Sequence, residues 1–333
     1  MTEERGRIVS LVSMLWQKIA RWIVMRGHCC QIISTCSAKP RSCQHRLIDA
    51  GTAHWRISYM KSNSSKKENW QRTKKIARVF CVAAVLFFLV ECQTTNRVSF
   101  LTAKLDPYKK AEKVTGLLSK PDGNGPFPSV VLLHTCGGLQ PHVTDDWPRY
   151  LKGLRYVTLT VDSFGSRGLG PCPNSLLSDK SRIMMDAYGG FDYLTRLPYV
   201  DKNKIAVMGF SLGASVINSE MIPSSKRTLR NNNFKAAICL YGFCYGITSD
   251  PPFPVMVIIG DKDEYVASSC QSMPDSDMVE IHMLHGIYHG FDMSQINTIR
   301  EDHFGNPMLY SWPATKKARE LIKMFLAKNL EKR

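Results

Sequence analysis

The chain has 333 residues, with 44% hydrophobic side chains, 11 Cys and a net charge of +16. That apolar content supplies one large core with an appendage and excludes a disordered or fibrous polymer. The charge is uneven: residues 1–100 carry 17 Lys+Arg against 5 Asp+Glu, and residues 101–333 carry 27 against 23. The larger part therefore gives no case for binding nucleic acid.

In chain order, residues 1–59 hold scattered Trp, Cys and Arg with little periodicity apart from residues 8–24. They are read as poorly structured and as lying upstream of the true start. An amphipathic or membrane-associating helix at 8–25 is the alternative. Cys29, Cys30, Cys36 and Cys43 fit no zinc spacing. Lys66, Lys67, Arg72, Lys74, Lys75 and Arg78 then precede an unbroken apolar run at 79–90. Twelve residues are too short to span a bilayer, which needs about 20. A basic stretch followed by a short apolar core suits a secretory signal starting near Met60. Export across a bacterial inner membrane, with release or anchoring and membrane contact through this segment, is the expectation. Glu91 before Cys92 makes a poor lipidation site. Residues 60–100 are read as signal and linker, and residues 1–100 as dispensable, so that a chain starting near Thr102 should fold and be active.

Strands are expected near 113–119, 128–134, 156–162, 204–209, 235–241, 254–260 and 278–284. Helices are expected near 144–153, 178–196, 212–221, 264–273 and 313–329. The last places Ala318, Leu321, Ile322, Phe325 and Leu326 on one face. Alternation of this kind predicts an α/β fold with a mainly parallel sheet and helices on both faces.

Three strand ends carry candidate chemistry. Lys204-Ile205-Ala206-Val207-Met208 runs into Gly209-Phe210-Ser211-Leu212-Gly213, a strand–turn–helix setting for a nucleophilic serine. Pro254-Val255-Met256-Val257-Ile258-Ile259-Gly260 runs into Asp261-Lys262-Asp263. Met278-Val279-Glu280-Ile281-His282-Met283-Leu284 is followed by a loop bearing His289. Ser, then Asp, then His is the chain order of the α/β-hydrolase triad. Asp263 is preferred to Asp261, because a turn leaving a strand takes a residue or two before its side chains reach the site. His289 is preferred to His282 and His285, which lie on the strand or at its end. After Ser129-Val130-Val131-Leu132-Leu133, the loop His134-Thr135-Cys136-Gly137-Gly138 is read as an oxyanion hole, with the N–H groups of Cys136 and Leu212 as donors. No metal or nucleotide motif stands out, and no cofactor is expected.

Residues 114–330 resemble the dienelactone hydrolase family, in particular a branch with a serine nucleophile. The matching pieces are Gly116-Leu117-Leu118-Ser119-Lys120-Pro121, Val131-Leu132-Leu133-His134-Thr135-Cys136-Gly137-Gly138-Leu139, Val161-Asp162-Ser163-Phe164-Gly165-Ser166-Arg167-Gly168, the Ser211 pentapeptide, Gly260-Asp261-Lys262-Asp263 and Tyr288-His289-Gly290-Phe291-Asp292. The resemblance implies an α/β-hydrolase domain at 101–333 without a large cap, the triad Ser211, Asp263 and His289, and a small ester or lactone as substrate. The chain departs from the family in three places. Ser211 replaces a cysteine, Thr135 stands where a glutamate is expected, and no arginine follows His289. Arg167 is the remaining candidate to bind a substrate carboxylate, with a surface arginine as its plain alternative. Neutral esters are accordingly expected to be preferred. If the domain is exported, Cys172, Cys244 and Cys270 are open to oxidation. A non-catalytic relative acting as a binding protein and a peptidase on the same fold are the alternatives. Oligomeric state is not legible.

Overall fold

The structure, a computed structural model, describes residues 96–331 apart from 106, 107, 109, 223–232, 272, 274 and 275. The chain divides between Gln93 and Thr94, and the described residues belong to the second unit. The basic and apolar segment at 60–92 and the cysteines at 29–43 lie outside the described residues. No helix among the described residues is long and apolar enough to cross a membrane.

Eight strands form one sheet in the order β1-β2-β4-β3-β5-β6-β7-β8. They are β1 (Asn96–Leu101), β2 (Lys113–Ser119), β3 (Phe127–Leu133), β4 (Val157–Asp162), β5 (Val200–Phe210), β6 (Ala237–Leu240), β7 (Val255–Gly260) and β8 (Val279–Leu284). The β1–β2 and β2–β4 pairs are antiparallel; the others are parallel. Every residue of β4, β6 and β7 is buried, as parallel strands covered on both faces require.

The helices are α1 (Trp147–Gly153), α2 (Asn174–Leu177), α3 (Ser181–Leu194), α4 (Leu212–Val216), α5 (Glu264–Ser269) and α6 (Trp312–Leu326). Their apolar faces divide between two cores. Ile183, Ala187 and Phe191 of α3, Ala214 and Val216 of α4 and Val266 of α5 pack on Val131, Val207 and Val257. On the other side, Trp147 and Leu151 of α1 and Ala318, Ile322 and Phe325 of α6 pack on Leu132, Met208 and Ile258. The period of two along each strand sends alternate side chains into alternate cores. The helices expected at 144–153, 212–221 and 313–329 each include a π-helical turn, at His142–Asp146, Ile217–Met221 and Ala327–Glu331.

One boundary needs correction. The sheet begins at Asn96, ahead of the expected start at 101, because β1 pairs with β2 along its whole length. Phe100 is buried in the α3 core, a burial worth about 2–3 kcal/mol. Gly189 lets α3 approach β1 closely: a Cβ there would lie 2.4 Å from the Leu101 carbonyl oxygen. A chain starting at Thr102 loses this strand.

Candidate active site

Ser211 occupies the turn between β5 and α4 with φ 51° and ψ −108°, a backbone conformation that side-chain-bearing residues rarely adopt. Its neighbours make the turn sterically possible. A Cβ on Gly209 would lie 2.4 Å from Ala214 N, and one on Gly213 would lie 2.4 Å from Leu133 O. The Ser211 N–H donates to Leu240 O at 2.9 Å and its carbonyl accepts from Ser215 N at 2.9 Å. The turn is thus pinned to β6 and to the first turn of α4.

Ser211 Oγ lies 3.0 Å from His289 Nε2, and His289 Nδ1 lies 2.6 Å from Asp263 Oδ2. Asp263 is fully buried and His289 is 3% exposed. Asp261, two residues earlier, turns away: its carboxylate meets His285 Nδ1 at 2.5 Å and accepts from Gly286 N at 2.6 Å. His282 stays on β8, with Nε2 3.9 Å from Glu280. The strand ends of β5 and β7 and the loop after β8 thus bring one serine, one aspartate and one histidine into a hydrogen-bonded line, and the competing Asp261 and His285 pair with each other at the surface.

The His289 loop has its own anchors. Asp292, 3% exposed, accepts from Trp147 Nε1 at 2.6 Å and from Tyr241 Oη at 2.7 Å. Burial, with the Asp292 charge beside it, pushes the Tyr241 hydroxyl well above its usual pKa, so Tyr241 keeps its proton and donates. The Tyr241 ring then stands edge-on to the His289 imidazole, centroids 4.8 Å apart. A two-stranded hairpin, β9 (Arg300–Glu301) and β10 (Pro307–Met308), closes over the other side. The His289 N–H donates to Pro307 O and its carbonyl accepts from Leu309 N. Sequence reasoning missed Tyr241 and this hairpin. Asp292 was legible only as part of the His-Gly-Phe-Asp run.

The loop at 134–138 is a tight turn. Gly138 N donates to Thr135 O at 3.0 Å and Gly137 N donates to Thr135 Oγ1 at 3.2 Å. Thr135 thus caps the turn. Cys136 forms a disulfide with Cys172, whose N–H also donates to Cys136 O at 2.8 Å. The Cys136 and Leu212 N–H groups have no backbone acceptor among the described loop hydrogen bonds. A second disulfide joins Cys244 to Cys270. Cys239 remains a buried thiol, and burial raises its pKa.

The expected role of Arg167 is corrected. Its guanidinium makes two 2.8 Å bonds to Asp186 and a third bond to Glu112, and its side chain is 9% exposed. Burial would lower its pKa, but the two carboxylates outweigh that and hold it protonated. Arg182 closes the group by pairing with Glu112 at 2.8 Å. The rest of the motif serves the same turn: Asp162 Oδ1 accepts from Gly165 N at 2.8 Å and Ser163 O accepts from Arg167 Nη1 at 2.7 Å. A buried guanidinium held by two protein carboxylates and the Ser163 carbonyl is not available to pair with a substrate carboxylate.

Two cavities meet at Ser211 and His289. One, of about 270 Å³, is lined by Leu212, Tyr241, Phe243 and Val266, with Lys180 beside them. The other, of about 340 Å³, is lined by Cys136, Gly137, Cys172, Ile296 and Met308. Asp302 and Phe304 of the hairpin line both. No cluster of three metal-ligating side chains occurs among the described residues.

Residues 90–258 match the model of the FrsA-like family, described as "Esterase FrsA-like". The matched stretch contains β1, Cys136 and Ser211 and ends before Asp263. Esterase FrsA of Enterobacter sp. (strain 638) is 32% identical over 151 residues, which is 44% of this chain and 32% of that protein. Esterase FrsA of Klebsiella pneumoniae (strain 342) is 31% identical over 145 residues, 41% of this chain and 31% of that protein. This chain thus spans about a third of the length of these curated relatives. Among solved structures, a dienelactone hydrolase-like promiscuous phosphotriesterase from metagenomic libraries superposes with a TM-score of 0.51 at 17% identity, covering 70% of this chain and 98% of that one. The acylaminoacyl peptidase of Pyrococcus horikoshii gives a TM-score of 0.51 at 15% identity, covering 74% of this chain and 44% of that one. The fold is that of the α/β-hydrolases, as in the dienelactone hydrolases.

Proposed function

Since the chain belongs to the FrsA-like esterase family, we propose that it is a serine hydrolase that cleaves small carboxylic esters or lactones through an acyl-enzyme. The observation that carries this reading is the line from Ser211 Oγ through His289 to Asp263, at 3.0 and 2.6 Å. Ser211 Oγ attacks the ester carbonyl while His289 Nε2 takes its proton. The Cys136 and Leu212 N–H groups receive the developing oxyanion. His289 then returns the proton to the leaving alcohol, and water cleaves the acyl-enzyme by the same route in reverse. Asp263 holds the imidazole tautomer and stabilises the imidazolium. A binding-only role is not favoured, because it gives no reason to hold a strained serine against a buried histidine.

The substrate is neutral near the reacting carbon. Arg167 is committed to Asp186 and Glu112. Asp302, 13% exposed with its carboxylate 4.0 Å from His289 Nε2, faces both cavities. The opposing charges are Lys180 on the smaller cavity, half-buried, and Arg300 on the larger, exposed and next to Glu301, so solvent screens both more than Asp302. A carboxylate brought here meets a like charge in a poorly solvated place. We expect kcat/KM on a neutral short-chain ester to exceed that on its carboxylate-bearing analogue by about tenfold or more. Equal or reversed values would sink this assignment.

The domain works outside the cytoplasm. The two disulfides, Cys136–Cys172 and Cys244–Cys270, support an oxidising compartment, in keeping with the basic and apolar segment at 60–92. A reporter fused after residue 93 is expected to be exported; one retained in the cytoplasm would contradict this.

A further inference from the structure

Asp302 is a carboxylate that the triad chemistry does not use, yet it faces the reacting histidine. It sits at the hairpin bend, where its Oδ1 accepts from Phe304 N at 2.7 Å and Asn306 N at 2.8 Å, and its Oδ2 accepts from Asn306 Nδ2 at 2.8 Å. These three donors fix the side chain. The remaining capacity of Oδ2 faces His289 Nε2, 4.0 Å away. That gap is too long for a direct hydrogen bond and suits one oxygen atom placed within hydrogen-bond distance of both. Nε2 is also the atom that meets Ser211 Oγ at 3.0 Å, so an oxygen held there is next to the acylated serine.

From this geometry we propose that Asp302 positions the water that hydrolyses the acyl-enzyme. The proposal rests on the serine-hydrolase reading above. In the step, one proton of the water passes to His289 Nε2, while the other stays on the oxygen and donates to Asp302 Oδ2. The oxygen lone pair forms a bond to the acyl carbon, and the carbonyl π electrons move onto the oxyanion. Collapse of the tetrahedral intermediate breaks the bond to Ser211 Oγ, which recovers the proton from His289. The carboxylic acid leaves, and Asp302 ends the cycle unchanged. Acylation delivers Ser211 Oγ to the same carbon and does not use this water, so the two half-reactions should respond differently to the loss of Asp302.

The test follows para-nitrophenol release from para-nitrophenyl acetate by the wild type, Ser211→Ala, Asp302→Asn and Asp302→Ser. In both Asp302 variants kcat should fall by roughly 10- to 100-fold, the range expected for lost positioning. KM should fall with it, so that kcat/KM stays within about threefold of wild type. A burst approaching one equivalent per folded site should precede the slow phase. Hydroxylamine, a nucleophile that does not depend on the Asp302 acceptor, should restore the steady rate. The ratio of the two phases is read on the folded fraction alone, so a partly misfolded variant still reports. Equal loss of kcat and kcat/KM, with no burst and no rescue, would overturn the role of Asp302 and leave the nucleophile standing. Absence of any Ser211-dependent acyl-enzyme in the wild type would overturn the parent reading and this inference together.

Discussion

Replacing Ser211 with alanine is expected to lower kcat on para-nitrophenyl acetate by about 10⁴-fold or more, with little change in melting temperature. The size of the effect follows from the way a nucleophile and its base act as a unit: removing the serine alone removes nearly all that the triad contributes. What survives is the catalysis that the oxyanion donors and binding provide, over a water that is poorly placed for attack. Stability should hold, because the elbow is set by the close approach of Gly209 to Ala214 and of Gly213 to Leu133 and by the Ser211 backbone bonds to Leu240 and Ser215. None of these needs Oγ. Turnover by Ser211→Ala at a tenth of the wild-type rate or better would mean that another group does the chemistry.

Asp263→Asn should be nearly as damaging, with kcat reduced about 10⁴-fold. The Asp263 carboxylate accepts from His289 Nδ1–H, which leaves Nε2 free to take the Ser211 proton. An amide at this buried position can donate to Nδ1 instead, which puts the ring proton on Nε2, facing Oγ, where it blocks proton transfer. Asp261→Asn provides the contrast. Asp261 lies at the surface with His285, whose side chain is 97% exposed, and its replacement should change kcat less than about threefold. The two variants together discriminate between neighbouring acids that a strand end presents in a single short turn. Greater damage from Asp261→Asn than from Asp263→Asn would reassign the acid.

The parts of this molecule that could be read from the chain are those whose physics is local. Val255 to Ile259 is an unbroken apolar run ended by a glycine, and such a run has few places to go except the middle of a parallel sheet. Gly209 and Gly213 around Ser211 announce a turn that only glycine neighbours permit. By contrast, β1 reads Asn-Arg-Val-Ser-Phe-Leu and buries only Phe100. It lies at an edge and offers a weak pattern, which a preceding basic and apolar segment obscures. Arg167 was misread because a Gly-rich loop bearing an arginine looks like a binding loop. Its partners Asp186 and Glu112 are 19 and 55 positions away, and sequence spacing carries no trace of either pairing. Asp302 was invisible for the same reason. Two strands of two residues each hold it over His289, and so short a hairpin leaves no periodicity to find. Pairing of Cys136 with Cys172 likewise depends on the loops that follow the neighbouring strands β3 and β4 meeting beyond their C-terminal ends. The backbone conformation of Ser211 was legible from its glycines; the edge-on contact of Tyr241 with His289 was not, because it joins the end of β6 to a loop nearly fifty residues later.

The central claim, that Ser211 is a nucleophile activated by His289, is tested most directly by covalent labelling with a fluorophosphonate. The full chain should take up one equivalent of probe, and peptide mass spectrometry should place the adduct on Ser211. Ser211→Ala should take up none, and Asp263→Asn should label far more slowly than wild type. A wild-type chain that stays unlabelled, or a Ser211→Ala chain that labels at the wild-type rate, would contradict the account.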